Sequence, residues 1–492
     1  MAINRNYLAV DLGAESGRVI IGTLAEDRLS LTEVRRFANI PVRLPDGLHW
    51  DVLRIWSEIK SGIISAVSRN GTSIDSIGLD TWGVDFALLD QKGDLLANPF
   101  HYRDSRTDGM YAEAFKRMPR ESIFENTGIQ FMEVNTLYQL LAMVVSKSPL
   151  IEVARTFLTI PDLFNYWLTG NINCEFTNAT TTQCFDPRQR DWARPLLKAM
   201  GIPEQLFRPV IEPGTVIDNL DPRVANEIGA RGIPVVAPAC HDTGSAVVAI
   251  PADGKDFAWL SSGTWSILGV EVDQPVVTDK TLQYNFTNEG GVFGKWRLSK
   301  NVMGLWILQE CRRTWARQGV ELSYDDITRL ATEAKPFQFI IDPDFGGFLH
   351  PENMPDQIRK YCRDSGQPEP QDKGTLIRSV LESIAIKYRW VLERLEEITG
   401  THFERVHIIG GGTKNSLLNQ FTADATQCTC LTGPVEATAL GNVLMQGIAL
   451  GQIESLEHAR NLVRKSFPPS IYLPGEPKEW GRAYVRLLEV LK

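Results

Sequence analysis

The chain has little of what marks export, membrane insertion or nucleic-acid binding. Its opening residues, "MAINRNYLAVDLG", hold an apolar run of only four, Tyr7 to Val10, before an aspartate. That is too short for the core of a signal peptide, and no stretch approaches the roughly 18 apolar residues of a membrane helix. A membrane is therefore not an expected partner. Acidic residues outnumber basic ones, 60 to 51, for a net charge of −9. Binding to phosphodiester backbones needs a basic face, so nucleic acid is excluded as the main partner. The seven cysteines are scattered and, with no export signal, read as reduced thiols of a cytoplasmic protein. Cys428-Thr429-Cys430 is the one close pair; its spacing is wrong for a CxxC half-site, and no histidine cluster completes a zinc site. Walker A and G-x-G-x-x-G motifs are missing too. "EGGVFGKW" lacks the spacing and the Ser/Thr, and "GGGTKN" has asparagine where the third glycine belongs.

What is present is an alternation of strand and helix over 492 residues, more than one hydrophobic core usually serves. "YLAVDLGAESGRVIIGTL" predicts strand, Gly-rich turn and strand, and "LSLTEVRRF" a third strand. Residues 51 to 68 have apolar positions at helical spacing, and "IDSIGLDTWGVDFALLD" predicts strand, polar turn and strand. Residues 257 to 272, "FAWLSSGTWSILGVEV", repeat the opening pattern; a helix over 376 to 398 then leads into the strand and turn "RVHIIGGG". The repetition predicts two similar α/β domains, 1–250 and 251–492, joined near "PADGK" (251 to 255). Their turns would lie at the carboxyl ends of strands and face each other across a cleft, where ligands bind in such sheets.

Several turns carry residues suited to a phosphorylated ligand. In Asp11-Leu12-Gly13-Ala14-Glu15-Ser16-Gly17-Arg18, backbone N–H groups can cradle an anion, with glycines allowing close approach. Arg18 can add a charged contact, and Asp11 can hold hydrated Mg²⁺. The other reading is a plain hairpin turn. Ser261-Ser262-Gly263-Thr264 repeats the composition, and Gly410-Gly411-Gly412 lies between a strand and a helix. In "LDTWGVDF" the carboxylates of Asp80 and Asp85 beside Trp82 and Gly83 suit a polyol. "HYRDSRTDG" is expected to be a solvated loop with surface ion pairs. "SKNVMGLWILQE" (299 to 310) predicts the start of a helix, with Asn301 in its first turn and Gln309 two turns on.

"HDTGSA" permits three readings: an aspartic-protease motif, a helix cap, or a catalytic base at Asp242. A protease needs two such turns whose aspartates share a proton. The only other candidate, Asp364-Ser365-Gly366, lies in a polar, Pro-rich stretch without flanking strands, and the chain is not all-β. Capping and catalysis are compatible, since a helix N-terminus orients a carboxylate that accepts an N–H from the first turn.

Taken in order, "VDLGAESGRV", "IDSIGLDTWGVDF", "YRDSRT", "NTLYQL", "IPDLFNYWLTG", "EFTNATTTQ", "HDTGSAV", "LSSGTWSILG", "TNEGG", "KNVMGLWILQ", "IIGGG" and "GPVEATALGN" resemble the FGGY family of carbohydrate kinases. "DTWGVDF" resembles the branch that acts on L-rhamnulose. The resemblance implies two ribonuclease-H-like domains of the actin and hexokinase type flanking a catalytic cleft. It also implies phosphoryl transfer from ATP to O1 of L-rhamnulose, in a cytoplasmic enzyme of L-rhamnose degradation, monomer or homodimer. Asp242 would be the base that accepts the hydroxyl proton, with His241, Thr243, Gly83 and Asn301 around the sugar. Ala14, Glu15, Ser16, Gly17, Arg18, Thr264, Gln309 and Gly411 would surround ATP, with Asp11 near Mg²⁺. The family's cysteine pairs are only partly shared, so no functional bridge is expected. The alternatives are another ketose, such as L-fuculose or a pentulose, or a non-catalytic actin-like nucleotide-binding protein, which would not need a base at Asp242.

Overall fold

The computed structural model describes residues 4–69, 73–254, 256–349 and 351–491; Lys255, at the end of the expected join, lies outside them. Contacts divide the chain into two compact units. One comprises Met1–Ala249, Glu271–Leu298 and Ala437–Phe467; the other comprises Ile250–Val270, Ser299–Glu436 and Pro468–Lys492.

The first sheet begins with an antiparallel meander of β1 (Arg5–Leu12), β2 (Ser16–Ala25) and β3 (Arg28–Ala38). From Tyr7 to Leu12, β1 is buried at every position, as a strand covered on both faces must be. α1 (Val52–Val67) buries Val52, Ile55, Ile59, Ile63 and Ala66, one apolar stripe, and Asp51 caps it by accepting from Arg54 N. The chain returns as β4 (Ser76–Thr81), parallel to β1 with Asp80 beside Asp11. β5 (Thr215–Asn219) and β6 (Pro234–Ala237) complete the order β5-β6-β4-β1-β2-β3, with β6 parallel to β4. The carboxyl ends of β1, β4 and β6 thus lie side by side: Trp82 N donates to Leu12 O and Thr81 N to Cys240 O. α2 (Asp242–Val248) starts at this edge.

The second sheet is built the same way. β7 (Ala258–Ser262) and β8 (Trp265–Val272) form an antiparallel hairpin, followed by β9 (Thr287–Gly290), β10 (Trp296–Met303) and α3 (Trp306–Arg317). The long α4 (Lys373–Thr399) leads to β11 (Arg405–Ile409), α5 (Ser416–Thr426), β12 (Thr429–Thr432), α6 (Ala437–Ala449) and β13 (Ser470–Tyr472). The order is β9-β10-β8-β7-β11-β12-β13, with β7, β11 and β12 parallel and β13 antiparallel at the edge. The run β8-β7-β11-β12-β13 repeats β2-β1-β4-β6-β5 strand for strand. This is the ribonuclease-H-like arrangement, present twice.

α6 packs in the first unit, where it crosses α2 at backbone contact: a Cβ on Gly441 would lie 1.8 Å from Ser245 O. All seven cysteines are buried free thiols. Among the described residues, no helix is long and apolar enough to cross a membrane.

Two expectations are corrected. Asn301 lies in β10, and the helix starts only at Trp306, which puts Gln309 in its first turn. β10 is buried along almost its whole length, so it lacks the alternation that betrays a strand, and its apolar residues imitate helical spacing. The polar stretch 101–109 is not a solvated loop. Asp104 is buried, accepting from Leu48 N at 2.7 Å and Arg106 N at 3.0 Å. The Arg106 guanidinium sits 4.0 Å from the Phe100 ring centroid and donates to Gln139 Oε1 at 2.6 Å. That aromatic and amide shell solvates the charge in place of water.

Candidate active site

The site in the first unit is assembled at the end of β6. Cys240 N donates to Glu175 Oε2 at 3.1 Å, and His241 N to Thr177 Oγ1 at 3.0 Å. Glu175 also accepts from Thr177 N, Thr177 Oγ1 and Asn178 N. Burial nonetheless pushes its carboxyl up to about 7. The chain entering α2 is therefore clamped from behind by "EFTNA". The N-cap position is His241, and Asp242 is the first helical residue. Asp242 is thus not the helix cap that the sequence suggests but lies one position inside it; its Oδ1 accepts from Thr243 N at 2.5 Å and from Thr243 Oγ1 at 3.1 Å. Oδ2 accepts nothing from the described residues, and the side chain is 30% exposed. One oxygen of Asp242 is thus occupied by donors, and the other is open.

His241, almost buried, places Nε2 3.4 Å from Asp242 Oδ1. On its far side Nδ1 lies 2.9 Å from Arg297 Nη2 and 3.3 Å from Glu289 Oε2. Arg297 is 1% exposed, donates from Nε to Gly290 O at 2.8 Å, and pairs with Glu289 at 3.2 Å. Burial alone would raise the Glu289 carboxyl; the Arg297 guanidinium leads the influences that hold it below its ordinary value. Sequence reasoning gave Glu175, Thr177, Glu289 and Arg297 no role. Their only signal was that they lie in or near "EFTNATTTQ" and "TNEGG".

In the β1–β2 hairpin, Gly13 N donates to Ser16 O, and Asn39 binds Glu15 O and Gly13 O, which fixes the turn carrying Ala14, Glu15 and Ser16. The glycines are not there for left-handed backbone, since neither has positive φ. Gly17 is required because a Cβ would lie 2.3 Å from the Phe37 ring. Arg18 faces Asp11 across the hairpin and donates to its Oδ2 at 2.6 Å. Next to Asp11, the fully buried Asp80 accepts from Asn442 Nδ2 at 2.6 Å through Oδ2 only; Oδ1 has no hydrogen-bond partner among the described residues. Burial first, then the neighbouring Asp11 and Asp242 carboxylates, raise its pKa well above the ordinary value. No set of three or more His, Cys, Asp or Glu side chains among the described residues forms a metal cage. Mg²⁺ does not require one, because it keeps waters and takes one or two carboxylates. An unpartnered buried carboxylate oxygen amid mutually repelling carboxylates fits such a hydrated cation.

The turn after β4 departs from the expected polyol pocket. Asp85 is buried, accepting from Trp50 Nε1 at 2.5 Å, Trp82 Nε1 at 3.0 Å and Gln139 Nε2 at 2.9 Å, with its pKa raised to about 6 by burial. Trp82 packs at a tilt against Trp50, with centroids 4.2 Å apart, and is only 5% exposed. These two residues hold the turn in shape, and Gly83 beside them is half-buried against Thr181.

In the second unit, Leu305 N and Trp306 N donate to Gly263 O and Thr264 O, seating α3 on the β7–β8 turn. The glycine turn after β11 rests on the same strand end: a Cβ on Gly412 would lie 2.0 Å from Ser262 Oγ, whereas Gly411 faces open space. Thr264, Gly411 and Gln309 are therefore carried by neighbouring segments. The buried Oε1 of Gln309 accepts no hydrogen bond from the described residues. Asn301, partly exposed, lies on β10.

Residues 6–249 match the N-terminal domain of the FGGY family of carbohydrate kinases, and residues 258–450 its C-terminal domain. The chain is 42% identical over 483 residues to a rhamnulokinase of Bacteroides thetaiotaomicron, covering 98% of this chain and 99% of that protein. It is 44% identical over 460 residues to a rhamnulokinase of Oceanobacillus iheyensis, covering 94% and 96%. Among solved structures, a gluconate kinase from Lactobacillus acidophilus superposes with a TM-score of 0.82 at 17% identity, covering 99% of this chain and 97% of that one; at that identity the likeness shows the fold alone. With both domain models matched in order, and relatives above 40% identity along nearly the whole length, the chain belongs to the FGGY family of carbohydrate kinases.

Proposed function

We propose that this kinase is a rhamnulokinase: it transfers the γ-phosphoryl group of ATP to O1 of L-rhamnulose, giving L-rhamnulose 1-phosphate, in the cytoplasmic degradation of L-rhamnose. The relatives that share nearly its full length support the substrate. The observation that carries the chemistry is the asymmetry of Asp242, whose Oδ1 is filled by Thr243 while Oδ2 stays open.

Phosphoryl transfer asks a protein for alignment, neutralisation of charge and a base for the attacking hydroxyl. In this reading Asp242 Oδ2 accepts the O1 proton. Thr243 keeps the carboxylate from rotating, and the Glu175–Thr177 clamp keeps α2 in place. His241, Thr243, Gly83 and Asn301 contact the sugar. Ala14, Glu15, Ser16, Gly17, Arg18, Thr264, Gln309 and Gly411 bind ATP, the unpartnered Gln309 Oε1 being suited to a donor on the nucleotide. Asp11, with Asp80 beside it, would hold Mg²⁺, which when bound neutralises phosphate charge.

A panel of ketoses tests the substrate. L-Rhamnulose is expected to be turned over with the highest kcat/KM; faster turnover of L-fuculose or a pentulose would refute the assignment. Asp242→Asn tests the base. Turnover is expected to fall by about 10²–10⁴-fold or more with ATP affinity kept, and near-normal turnover would remove Asp242 from the mechanism.

A further inference from the structure

The Glu289–Arg297 pair lies behind His241, away from Asp242, and has no part in the transfer described so far. We infer that Arg297, anchored by Glu289 and the Gly290 carbonyl, fixes His241 as the tautomer with its proton on Nε2, so that this N–H is turned toward Asp242 Oδ1 and Oδ2 is left as the oxygen that takes the sugar proton. Arg297 is thus a positioning residue, and the inference rests on Asp242 being the base.

The hydrogen-bond inventory carries the assignment. A guanidinium has five N–H donors and no acceptor. Arg297 Nη2 approaches His241 Nδ1 to 2.9 Å, so that nitrogen presents its lone pair. A proton on Nδ1 would set two donors face to face. The competing arrangement, Nδ1–H donating to Glu289 Oε2, has the longer distance, 3.3 Å, and Oε2 accepts no hydrogen bond from the described residues. Arg297 has no freedom to swing aside, being 1% exposed and tied through Nε to Gly290 O. With Nδ1 accepting, the only N–H of a neutral ring is on Nε2, 3.4 Å from Asp242 Oδ1. Thr243 N and Thr243 Oγ1 donate to that same oxygen, and His241 Nε2 lies 3.4 Å from it. The charged groups around the imidazole are Arg297, Glu289 and Asp242. A buried ion pair contributes little net stability over an apolar pair of the same size, so its placement behind His241 is accounted for by orientation rather than by folding.

The direct test is nitrogen NMR of the folded wild-type protein labelled with [15N]histidine, the His241 signals being identified by their loss in His241→Gln. A protonated Nε2 and an unprotonated Nδ1 are expected at neutral pH. A proton on Nδ1, in a neutral ring or an imidazolium, overturns the inference. Kinetics give a second arm. Arg297→Met should lower kcat by on the order of 10- to 100-fold while KM for ATP stays within about twofold, and Arg297→Lys, which restores a cationic donor, should recover part of the loss. In His241→Gln, whose amide N–H stands where Nε2–H stood and needs no tautomer, Arg297→Met should cost no more than roughly threefold further. An equal loss in both backgrounds refutes the coupling. If the Arg297 variants do not fold, the NMR result decides alone. Asp242→Asn separates the two readings: if it stays active while His241 shows Nε2–H, the base assignment fails and the tautomer assignment stands.

Discussion

Gly441→Ala is the sharpest test of how the first unit holds Asp242. α6 meets α2 where Gly441 faces the Ser245 carbonyl, and a methyl there would lie 1.8 Å from that oxygen. A carbon–oxygen contact needs about 3.3 Å, so the helices must part by roughly 1.5 Å. The obstacle is backbone and cannot rotate away. Overpacking of this kind costs about 1–3 kcal/mol, and the upper end applies here. At ~1.5 °C per kcal/mol for a unit of about 300 residues, the melting temperature should fall by roughly 4–5 °C. Ser245 is three residues after Asp242 on α2, so the displaced helix carries the proposed base with it. A misplacement of about 1 Å can cost on the order of 10²-fold in rate, and kcat should fall well beyond what the unfolded fraction explains. Gly481→Ala is the control. That glycine lies inside a helix (Pro477–Val490) with nothing near its missing Cβ, so the change should stabilise by about 0.5–1 kcal/mol. The assay is a thermal melt together with coupled kinase kinetics. A Gly441→Ala protein with wild-type melting temperature and kcat would refute the claim that α6 fixes the position of α2.

Other predictions concern the nucleotide and the buried acids. Gln309→Leu should leave the melting temperature unchanged, because Oε1 has no partner among the described residues to lose. KM for ATP should rise roughly 3- to 10-fold, the value of one hydrogen bond; an unchanged KM would remove Gln309 from the nucleotide site. Asp85→Asn should destabilise, because an amide nitrogen cannot accept from the donors around Asp85. Its pH dependence has a definite sign. Asp85 titrates at about 6 in the folded protein and at about 3.9 unfolded. The folded state therefore holds the extra proton between those values, and its contribution to stability is fully present below about pH 4 and lost as pH rises through 6. Asn has no such titration. The denaturant-midpoint gap between variant and wild type should therefore be widest near pH 4.5 and narrow toward pH 7; a gap that widens with pH would contradict the burial of Asp85.

Much of the fold is legible because the elements that matter are local. The hairpins at β1–β2 and β7–β8 announce themselves by apolar strands around small polar turns, and their repetition betrays the duplication. What stays hidden is long-range. Arg297 binds a histidine 56 positions earlier, Asn442 an aspartate 362 positions earlier, and no periodicity links such partners. The misplacement of Asn301 has a different cause: β10 is buried so nearly throughout that its period of two disappears. Asp85 and Trp82 mislead for a third reason. Carboxylates and indoles suit polyols, but they suit each other equally well, and Trp50 supplies the second donor.

The same physics explains why "DTG" means something different here than in an aspartic protease. A shared-proton dyad needs a second aspartate facing the first, with both carboxylates in equivalent surroundings. Asp364, in the other Asp-Ser-Gly triplet, is the last residue of a helix (Met354–Asp364), and its Oδ2 accepts from Lys360 at 2.5 Å. Asp242 has instead a helix starting beneath it. Because it occupies the first helical position, the next residue's N–H and hydroxyl both reach one carboxylate oxygen, and the two oxygens become inequivalent. Inequivalence is what a base for a single hydroxyl requires: one oxygen anchored by donors, the other open to one proton. If Asp242 is the base, as proposed, Thr243 is as much a part of it. Thr243→Val, which keeps the N–H but removes the hydroxyl donor, should lower kcat while leaving ATP affinity intact. The loss should be smaller than that of Asp242→Asn, and a variant with unchanged kcat would show that the backbone N–H alone suffices to hold the carboxylate.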